Sequence, residues 1–401
     1  MIEIVLITIL AIWITIELIV KKIVTDVNSR FQWLITKKDE TPVLSKKGLE
    51  KFFKHGYDQE LGWNRKPNTF HEEVGKHGKT FWNIDKNGYR KNPFDGKNDI
   101  KISCYGDSFT FGRQVNDNET WEYFLSKLTD SKILNFGVGN YGIDQSLLKL
   151  KNEFSKNPTE IVILGVVPDT IERILSVWKH YYEYGNTFGF KPRYKISNNN
   201  LELIKNVIDE KSKFHSYKNY LKEIQENDFF YKNKFKKEII CFPYSIRILK
   251  NFKRNIGIIS KTYKKNQPME IIMKKNLEWR IKLYDEKFAT NLLEKIILEY
   301  VNFSKQSNFK PIFIFLPQKD DILFIKNNFH FYKNTVKKIR NIQDLIYIDI
   351  LQELLEYENL DELYSEDSEY GGHYSVLGNE VVAKIIHKKL NAKVNTGSSN
   401  S

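Results

Sequence analysis

Five short apolar runs between residues 99 and 350 limit the folds that this sequence can form. Each run is rich in β-branched residues and is followed by a segment of helical periodicity. The runs are DIKISCYG, KILNFG, EIVILGVV, KPIFIFLP and LIYIDI. Strands that alternate with helices form parallel crossover units, and such crossovers are right-handed. The sequence therefore predicts an α/β fold, a three-layer αβα sandwich around a parallel five-stranded sheet.

The stretch between the third and fourth runs is far longer than a crossover needs. Residues 185–308 are rich in Lys, Tyr, Phe and Asn and contain several helical patterns, whereas a crossover takes about a dozen residues or more. We expect a helical insertion there, of the kind that often covers a site. The remaining divisions are a linker and short extended lead-in at 25–98, a core domain at 99–184 and 309–392, and a small, polar, disordered tail at 393–401.

The N-terminus is the most apolar part of the chain. From Ile2 to Val20 it is nearly all apolar, with Glu3 and Glu17 as exceptions, and about twenty apolar residues span a bilayer as a helix. There is no basic start and no small-residue cleavage site, which favours an uncleaved anchor over a signal peptide. We predict a single-pass membrane anchor at 1–24, with a buried amphipathic helix as the alternative.

Charge and cysteine content limit the binding partners and cofactors that are expected for this chain. The net charge of +13 is spread along the chain without a nucleic-acid-binding motif, so no nucleic-acid partner is expected, and an anionic membrane surface fits better. Lys21 and Lys22 favour a cytoplasmic body by the positive-inside rule, but the sequence leaves the side of the membrane open. The two cysteines have no metal-ligand spacing, and no turn fits a nucleotide fingerprint, so neither metal nor cofactor is expected.

Glycine-containing turns follow three of the predicted strands, at the edge where open parallel sheets bind ligands. The first presents Asp107 and Ser108, the second is NFGVGNYG with Gly139 and Asn140, and the third is GVVPD. His373 lies in a glycine-flanked loop before the final helix. A serine nucleophile needs a base, a group that orients the base, and donors for an oxyanion. These loops supply a serine, a histidine and glycine-rich backbone, although Gly-Asp-Ser alone is also an ordinary turn.

These motifs resemble the SGNH (GDSL) hydrolase family. YGDSFTFG is similar to the first block of the family, NFGVGNYGIDQSLL to the second and GGHYSVLGNEVVA to the last, over about residues 62–179 and 345–390. The resemblance implies a flavodoxin-like SGNH fold with Ser108 as nucleophile and His373 as general base. It also implies that backbone N–H groups of Ser108 and of the Gly139–Asn140 turn stabilise the oxyanion, without a metal.

The third block departs from the family pattern. Members carry an asparagine there that donates to the oxyanion, but here Val167 or Pro168 occupies its place in GVVPD. The Asn140 side chain is a candidate replacement donor, since the family usually has glycine at that position. The alternative is that Asn140 is a left-handed turn residue.

The group that orients the histidine is also missing. The family usually has an Asp three residues before its histidine, where this chain has Tyr370. Glu369 or Asp367 could orient His373, and a Ser–His dyad is a further alternative. Asp107, directly before the serine, is included among the candidate catalytic residues.

Together with the predicted N-terminal anchor, the resemblance implies a membrane-anchored serine esterase. It would hydrolyse or transfer an acyl group, with acetyl as the expected one, on a carbohydrate or lipid-like ester through an acyl-enzyme. Transfer to a sugar hydroxyl, as by an O-acetyltransferase, stays open. The alternative from another class is a catalytically impaired SGNH-fold binding protein in cell-envelope or glycan assembly. The expected partners are an ester-bearing small molecule or glycan, and a membrane.

Overall fold

The computed structural model describes residues 1–75, 78–97, 99–366, 369–370 and 372–397 of the 401-residue chain. The strands are β1 (Tyr57–Asp58), β2 (Gly62–Trp63), β3 (Thr69–Gly75), β4 (Gly78–Ile84), β5 (Ile102–Gly106), β6 (Ile133–Asn135), β7 (Ile161–Val166), β8 (Arg193–Ser197), β9 (Asn200–Ile204), β10 (Lys310–Phe315) and β11 (Ile346–Ile348).

The α-helices in the described part of the chain are α1 (Ile2–Arg30), α2 (Lys46–His55), α3 (Ser108–Phe111), α4 (Trp121–Thr129), α5 (Ile143–Glu153), α6 (Thr170–Arg173), α7 (Lys211–His215), α8 (Leu221–Asn227), α9 (Lys236–Glu238), α10 (Tyr244–Lys250), α11 (Phe252–Tyr263), α12 (Met269–Asp285), α13 (Lys287–Ser307), α14 (Lys319–Asn327), α15 (Lys333–Arg340), α16 (Leu351–Leu355) and α17 (Val376–Gly397). Short 3₁₀ turns and one π-helical turn, Tyr231–Phe235, connect some of them.

Five strands form one parallel sheet in the spatial order β11-β10-β7-β5-β6. Numbered along the chain, this is the 2-1-3-4-5 order of flavodoxin-like sheets. β5 and β7 are the central pair at which the strand order reverses, and they stay in register from Ile102 beside Ile161 to Gly106 beside Gly165. The predicted α/β fold with a parallel five-stranded sheet is confirmed.

Helices cover both faces of this sheet. The crossover from β5 to β6 contains α4, and the crossover from β6 to β7 contains α5 and runs back across the sheet in the opposite direction. Right-handed crossovers in opposite directions place their helices on opposite faces. α17 packs beside α4, and α13 packs beside α5 and against β10. Because both faces are covered, β5 is buried along its whole length.

The long connection between β7 and β10 contains more than the predicted helices. It includes the antiparallel hairpin β8–β9, which the sequence analysis missed. It also ends in α13, a 21-residue helix that packs against the sheet and so serves as the crossover helix. The segment outside the sandwich therefore ends before α13, rather than at residue 308.

The N-terminal apolar stretch is part of a single 29-residue helix, α1. It is long and apolar enough to cross a membrane, with a mean hydropathy of 2.5 over its best window, of which 6% is buried. The helix continues past the predicted end of the anchor at residue 24, and Val24 and Val27 pack in a small core with α10 and α11. Only the N-terminal part of α1 is therefore not covered by the rest of the chain.

The segments that precede and follow the core domain both contain regular secondary structure. The lead-in at 25–98 holds the hairpin β3–β4, which reaches the sheet through a bridge between Arg90 and Asn135. At the other end, α17 continues through residues 393–397, where the sequence predicted a disordered tail. Residues 398–401 lie outside the described residues.

Candidate active site

Ser108 lies at a tight turn where β5 ends against β7. Gly106 must be a glycine there, because a Cβ would lie 1.8 Å from the carbonyl oxygen of Gly165. Asp107 caps α3, with Oδ1 accepting a hydrogen bond of 2.9 Å from the Phe109 N–H. Ser108 is then the first residue of the helix and lies at the carboxyl edge of the sheet.

The carboxylate of Asp107 is used within the fold. Its Oδ2 accepts from the Val167 N–H at 2.9 Å and from Arg173 Nη1 at 3.2 Å, and the side chain is fully buried. None of its hydrogen bonds in the described chain goes to His373. Asp107 thus joins the ends of β5 and β7 beneath the serine instead of orienting the histidine.

Ser108 and His373 are in direct contact. His373 Nε2 lies 2.8 Å from Ser108 Oγ, although the two residues are far apart in the sequence. His373 Nδ1 lies 3.0 Å from Oε1 of Gln114. An amide oxygen only accepts hydrogen bonds, so the proton is on Nδ1 and Nε2 accepts from the serine hydroxyl. This is the tautomer that a general base needs.

The orientation of the Gln114 amide follows from its other partners. Oε1 also accepts from the His373 backbone N–H at 3.0 Å and from Ser365 Oγ at 2.6 Å. The amide nitrogen donates to Glu366 Oε1 at 3.0 Å. Gln114 therefore occupies the orienting position that the sequence analysis left to an acid or to no side chain.

The loop that carries Gln114 is held by a buried guanidinium. Arg90 Nη1 donates to the carbonyl oxygens of Phe111 and Gly112, Nη2 to that of Val115, and Nε to Asp117. Gln114 itself has a φ of 69°, in the left-handed region where non-glycine residues are uncommon. Strained backbone of this kind clusters at functional sites, so the φ of Gln114 is a second observation that favours a functional role for this residue.

The predicted acids do not reach the histidine in the described structure. Glu369 is exposed and interacts with the neighbouring Tyr370 hydroxyl, and it is not among the hydrogen-bond partners of His373. Asp367 lies outside the described residues.

The predicted oxyanion turn does lie beside the serine. A Cβ on Gly139 would be 3.9 Å from the Ser108 Cβ. Asn140 is exposed, has a φ of 67° and lines the same cavity. No hydrogen bond within the described chain uses the backbone N–H of Ser108 or Gly139, which leaves both donors available.

The two residues that occupy the place of the third-block asparagine, Val167 and Pro168, offer no donor to this site. Val167 is buried, and its N–H is taken by Asp107. Pro168 has no N–H, and its carbonyl accepts from the Tyr284 hydroxyl at 2.8 Å. The side-chain donor that the family supplies from this loop therefore has no counterpart here.

A guanidinium that the sequence analysis did not single out lies next to the turn. The guanidinium carbon of Arg65 lies 4.4 and 4.6 Å from the ring centroids of Trp82 and Phe111, and these two rings contact each other edge to face. Its Nη2 is 3.7 Å from the position of a Cβ on Gly139, and its buried Nε has no hydrogen-bond partner among the described residues. Burial, with help from Arg113, lowers the pKa of Arg65 to about 10, so it remains a cation at neutral pH.

These groups face an open cavity of about 1110 Å³. Its walls come from the core, from the hairpin β3–β4 and from the insertion, and they carry charges of both signs. The lining includes Ser108, His373, Gln114, Arg65, Arg113, Glu73, His71, Asn140, Lys261, Met269, Glu270 and Met273. The cavity is wide, and its lining combines charged and polar groups with apolar side chains.

His373 is held in its neutral form. Burial, together with the positive charges of Arg113 and Arg173, lowers its pKa well below 6.5. Its ring partner is a neutral amide, which does not stabilise the imidazolium as a carboxylate would. The site therefore contains a deprotonated imidazole at neutral pH, hydrogen-bonded to a serine.

No family model and no curated protein matches the chain. Among solved structures it is similar to a putative lipolytic protein of the G-D-S-L family from Desulfitobacterium hafniense DCB-2, at 12% identity and a TM-score of 0.35 over 72% of this chain and 98% of that one. It is also similar to the lipase/acylhydrolase from Enterococcus faecalis, at 13% identity and a TM-score of 0.35 over 73% of this chain and 96% of that one. A member of the lipolytic protein G-D-S-L family from Veillonella parvula DSM 2008 is similar at 11% identity and a TM-score of 0.33, over 71% of this chain and 95% of that one. At these values we draw no conclusion from them about the activity of this chain.

The lowered pKa of His373 predicts how it titrates. The unfolded chain binds a proton at His373 below about pH 6.5, but the folded chain does not until the pH is much lower. This histidine therefore costs stability as pH falls through 6.5, by up to about 1.4 kcal/mol per pH unit. NMR titration of the ring protons, assigned with a His373→Asn variant, should give a midpoint well below 6.5. A midpoint at or above 6.5 would contradict the described surroundings.

Proposed function

We propose that this protein is a serine esterase of the SGNH hydrolase type. The observation that carries the proposal is the 2.8 Å contact between Ser108 Oγ and His373 Nε2 at the switch point of a 2-1-3-4-5 sheet. A structural histidine has no need of a proton-accepting nitrogen aimed at a serine that opens a helix in a cavity wall. A nucleophile and base within hydrogen-bond reach are what covalent acyl transfer requires.

The proposed reaction uses these atoms in two steps. Ser108 Oγ attacks the carbonyl carbon of the ester while His373 Nε2 takes the hydroxyl proton. The tetrahedral intermediate collapses, the alkoxide leaves with that proton, and an acyl-serine forms. Water, or a hydroxyl of a second substrate, then attacks the acyl carbon while His373 takes its proton. The bond between the acyl carbon and Ser108 Oγ breaks, and His373 returns the proton to Oγ.

The developing oxyanion is placed against the free backbone N–H groups of Ser108 and Gly139. The third donor of the family is absent, and we assign its role to Arg65 rather than to Asn140. Arg65 is a partly desolvated cation whose nearest aromatic neighbours leave its edge free towards the Gly139 turn. Asn140 has the left-handed conformation of an ordinary turn residue and an exposed side chain.

The cavity suits a polar ester. The mixed charges of the cavity favour a substrate whose alcohol portion is rich in hydroxyls or charged, as in an acylated carbohydrate. The acyl portion of that substrate is small, with acetyl as the expected group. The first part of α1 would hold the enzyme at a membrane. Hydrolysis and transfer to a sugar hydroxyl differ only in which acceptor enters this open cavity.

The second candidate function is a binding protein without turnover. The replacement of the third-block asparagine and the neutral partner of His373 favour it. Against it, Ser108, His373 and Gln114 form a continuous chain of hydrogen bonds, and His373 carries its proton on Nδ1 as a general base requires. The fold does not need this arrangement for its stability.

The first test is covalent labelling. The full-length protein should react with a fluorophosphonate probe and hydrolyse an aryl acetate, and Ser108→Ala should abolish both. His373→Ala should lower the rate by roughly 10²–10⁴-fold, the usual contribution of a general base. Ser212→Ala, at an exposed serine that does not line the cavity, is the control and should change neither. A wild-type protein that neither labels nor turns over would leave the binding-protein function in its place.

Gln114 is predicted to act as a positioning residue. Gln114→Ala removes one neutral hydrogen bond to the imidazole, worth about 1 kcal/mol, so kcat/KM should fall about fivefold. Gln114→Glu keeps the acceptor and adds a negative charge near Nδ1, which raises the pKa of His373. The acid limb of the pH–rate profile should then move to higher pH.

Glu366 faces the same amide, so Gln114→Glu is best measured with and without Glu366→Gln, which removes the repulsion between two carboxylates. A merely structural role for Gln114 would change stability and leave the acid limb where it is. That result would contradict the assignment.

A further prediction for this site separates Arg65 from Asn140. Arg65→Met retains an unbranched side chain against the two rings and removes the charge, so kcat should fall by roughly 10²–10³-fold, the effect of losing one oxyanion donor. Asn140→Ala should change kcat little. The reverse pattern, with Asn140→Ala strongly impaired and Arg65→Met near wild type, would show that the amide is the donor.

A further inference from the structure

A row of exposed apolar side chains lies along the part of the insertion that packs on α1. The row, which we call the apolar ledge, consists of Phe242, Ile246, Leu249, Phe252 and Ile256. Ile246 and Leu249 lie one turn apart on α10, Phe252 and Ile256 lie one turn apart on α11, and Phe242 directly precedes α10. Phe242 and Leu249 are more than 60% exposed. A group of exposed apolar side chains of this kind marks a site of interaction.

The ledge is attached directly to the apolar helix α1. The rings of Phe242 and Trp13 meet edge to face, with centroids 5.5 Å apart. One turn further along α1, the buried carboxylate of Glu17 accepts hydrogen bonds from the backbone N–H groups of Tyr244 and Ser245 and from the Ser245 hydroxyl. The one acidic group in the middle of the apolar stretch is therefore satisfied by the first turn of α10.

These contacts fix the level of the ledge along α1. A helix rises 1.5 Å per residue, so Trp13 lies about 10 Å before Val20, where the apolar run ends. Phe242 touches α1 at that depth. A bilayer that surrounds the apolar residues of α1 up to Val20 would therefore reach Phe242 and the start of α10 as well. Phe242 cannot stay in water if α1 is in lipid to that depth, and the other ledge residues follow it within fourteen residues of sequence.

Basic side chains surround the ledge. Exposed or half-buried cations near it are Lys21, Lys22, Arg247, Lys250 and Lys253. The combination of an apolar row with Lys and Arg beside it is that of helices that lie in the interface of an anionic bilayer.

We propose that the apolar ledge is a second membrane-contact surface, which docks the insertion into the interface of an anionic lipid bilayer beside α1. The occupant is lipid, because Phe242, the first residue of the ledge, packs on Trp13 within the apolar part of α1. This inference rests on the membrane role of α1 within the proposed function, but not on esterase activity. The insertion also lines the cavity with Lys261, Met269 and Met273, so docking would fix the orientation of the cavity relative to the bilayer.

The test uses the full-length chain reconstituted in vesicles of phosphatidylcholine and phosphatidylglycerol. A fluorophore sensitive to polarity is attached at single cysteines in a Cys241→Ala background, since Cys104 is buried. The variants are Leu10→Cys in α1, Leu249→Cys in the ledge, and Phe329→Cys as an exposed apolar control on the loop after α14. Vesicles with nitroxide-labelled lipid report contact with the bilayer by quenching.

The proposal expects blue-shifted, quenched emission at positions 10 and 249 and unquenched emission at position 329. Quenching at 10 but not at 249 would overturn the ledge and leave the anchor in place. Lack of quenching at 10 would remove the membrane role of α1 and the ledge with it, whatever the result of the aryl acetate assay. Quenching at 249 should weaken in vesicles of phosphatidylcholine alone; equal quenching there would overturn the preference for anionic lipid.

Discussion

The carboxylate of Asp107 is the interaction on which the candidate site depends. It caps α3, accepts from the backbone of Val167 after β7, and pairs with Arg173, all without exposure to water. A buried charge of this kind is tolerated only when its partners are fixed. The ends of β5 and β7 are thereby held together, and Ser108 is placed at a defined point above them. The same carboxylate takes the N–H of the loop from which the SGNH family draws its third donor.

The fold followed from local patterns in the sequence, and the site only in part. Alternating strands and helices predicted the sheet because a buried parallel strand must be apolar along its length. Ser108 and His373 could be proposed because their flanking motifs are local. Gln114 could not be found in this way, since its partners Ser365 and His373 are more than 250 residues further along the chain. Its sequence neighbours give no sign that the loop bends towards them.

Arg65 was missed for a related reason. It occurs in the lead-in LGWNRKPNT, where an arginine would ordinarily be read as a surface charge. Its position depends on the packing of the hairpin β3–β4 against the turn after β5, which brings Trp82 and Phe111 together and places both rings against Arg65. The hairpin β8–β9 escaped notice as well, because its short strands alternate polar and apolar residues within a segment dominated by helical pattern.

The electrostatics of the site have a consequence for what leaves it. Ester cleavage turns a neutral substrate into a carboxylate, and the proposed oxyanion pocket is bordered by a cation, Arg65, that lacks an acidic hydrogen-bond partner among the described residues. The attraction that lowers the barrier would also hold the acid product in place after the bond has broken. An acceptor hydroxyl that removes the acyl group as a neutral ester avoids this retention. In such a pocket, release of the acid product, rather than cleavage of the ester bond, would limit the rate of hydrolysis.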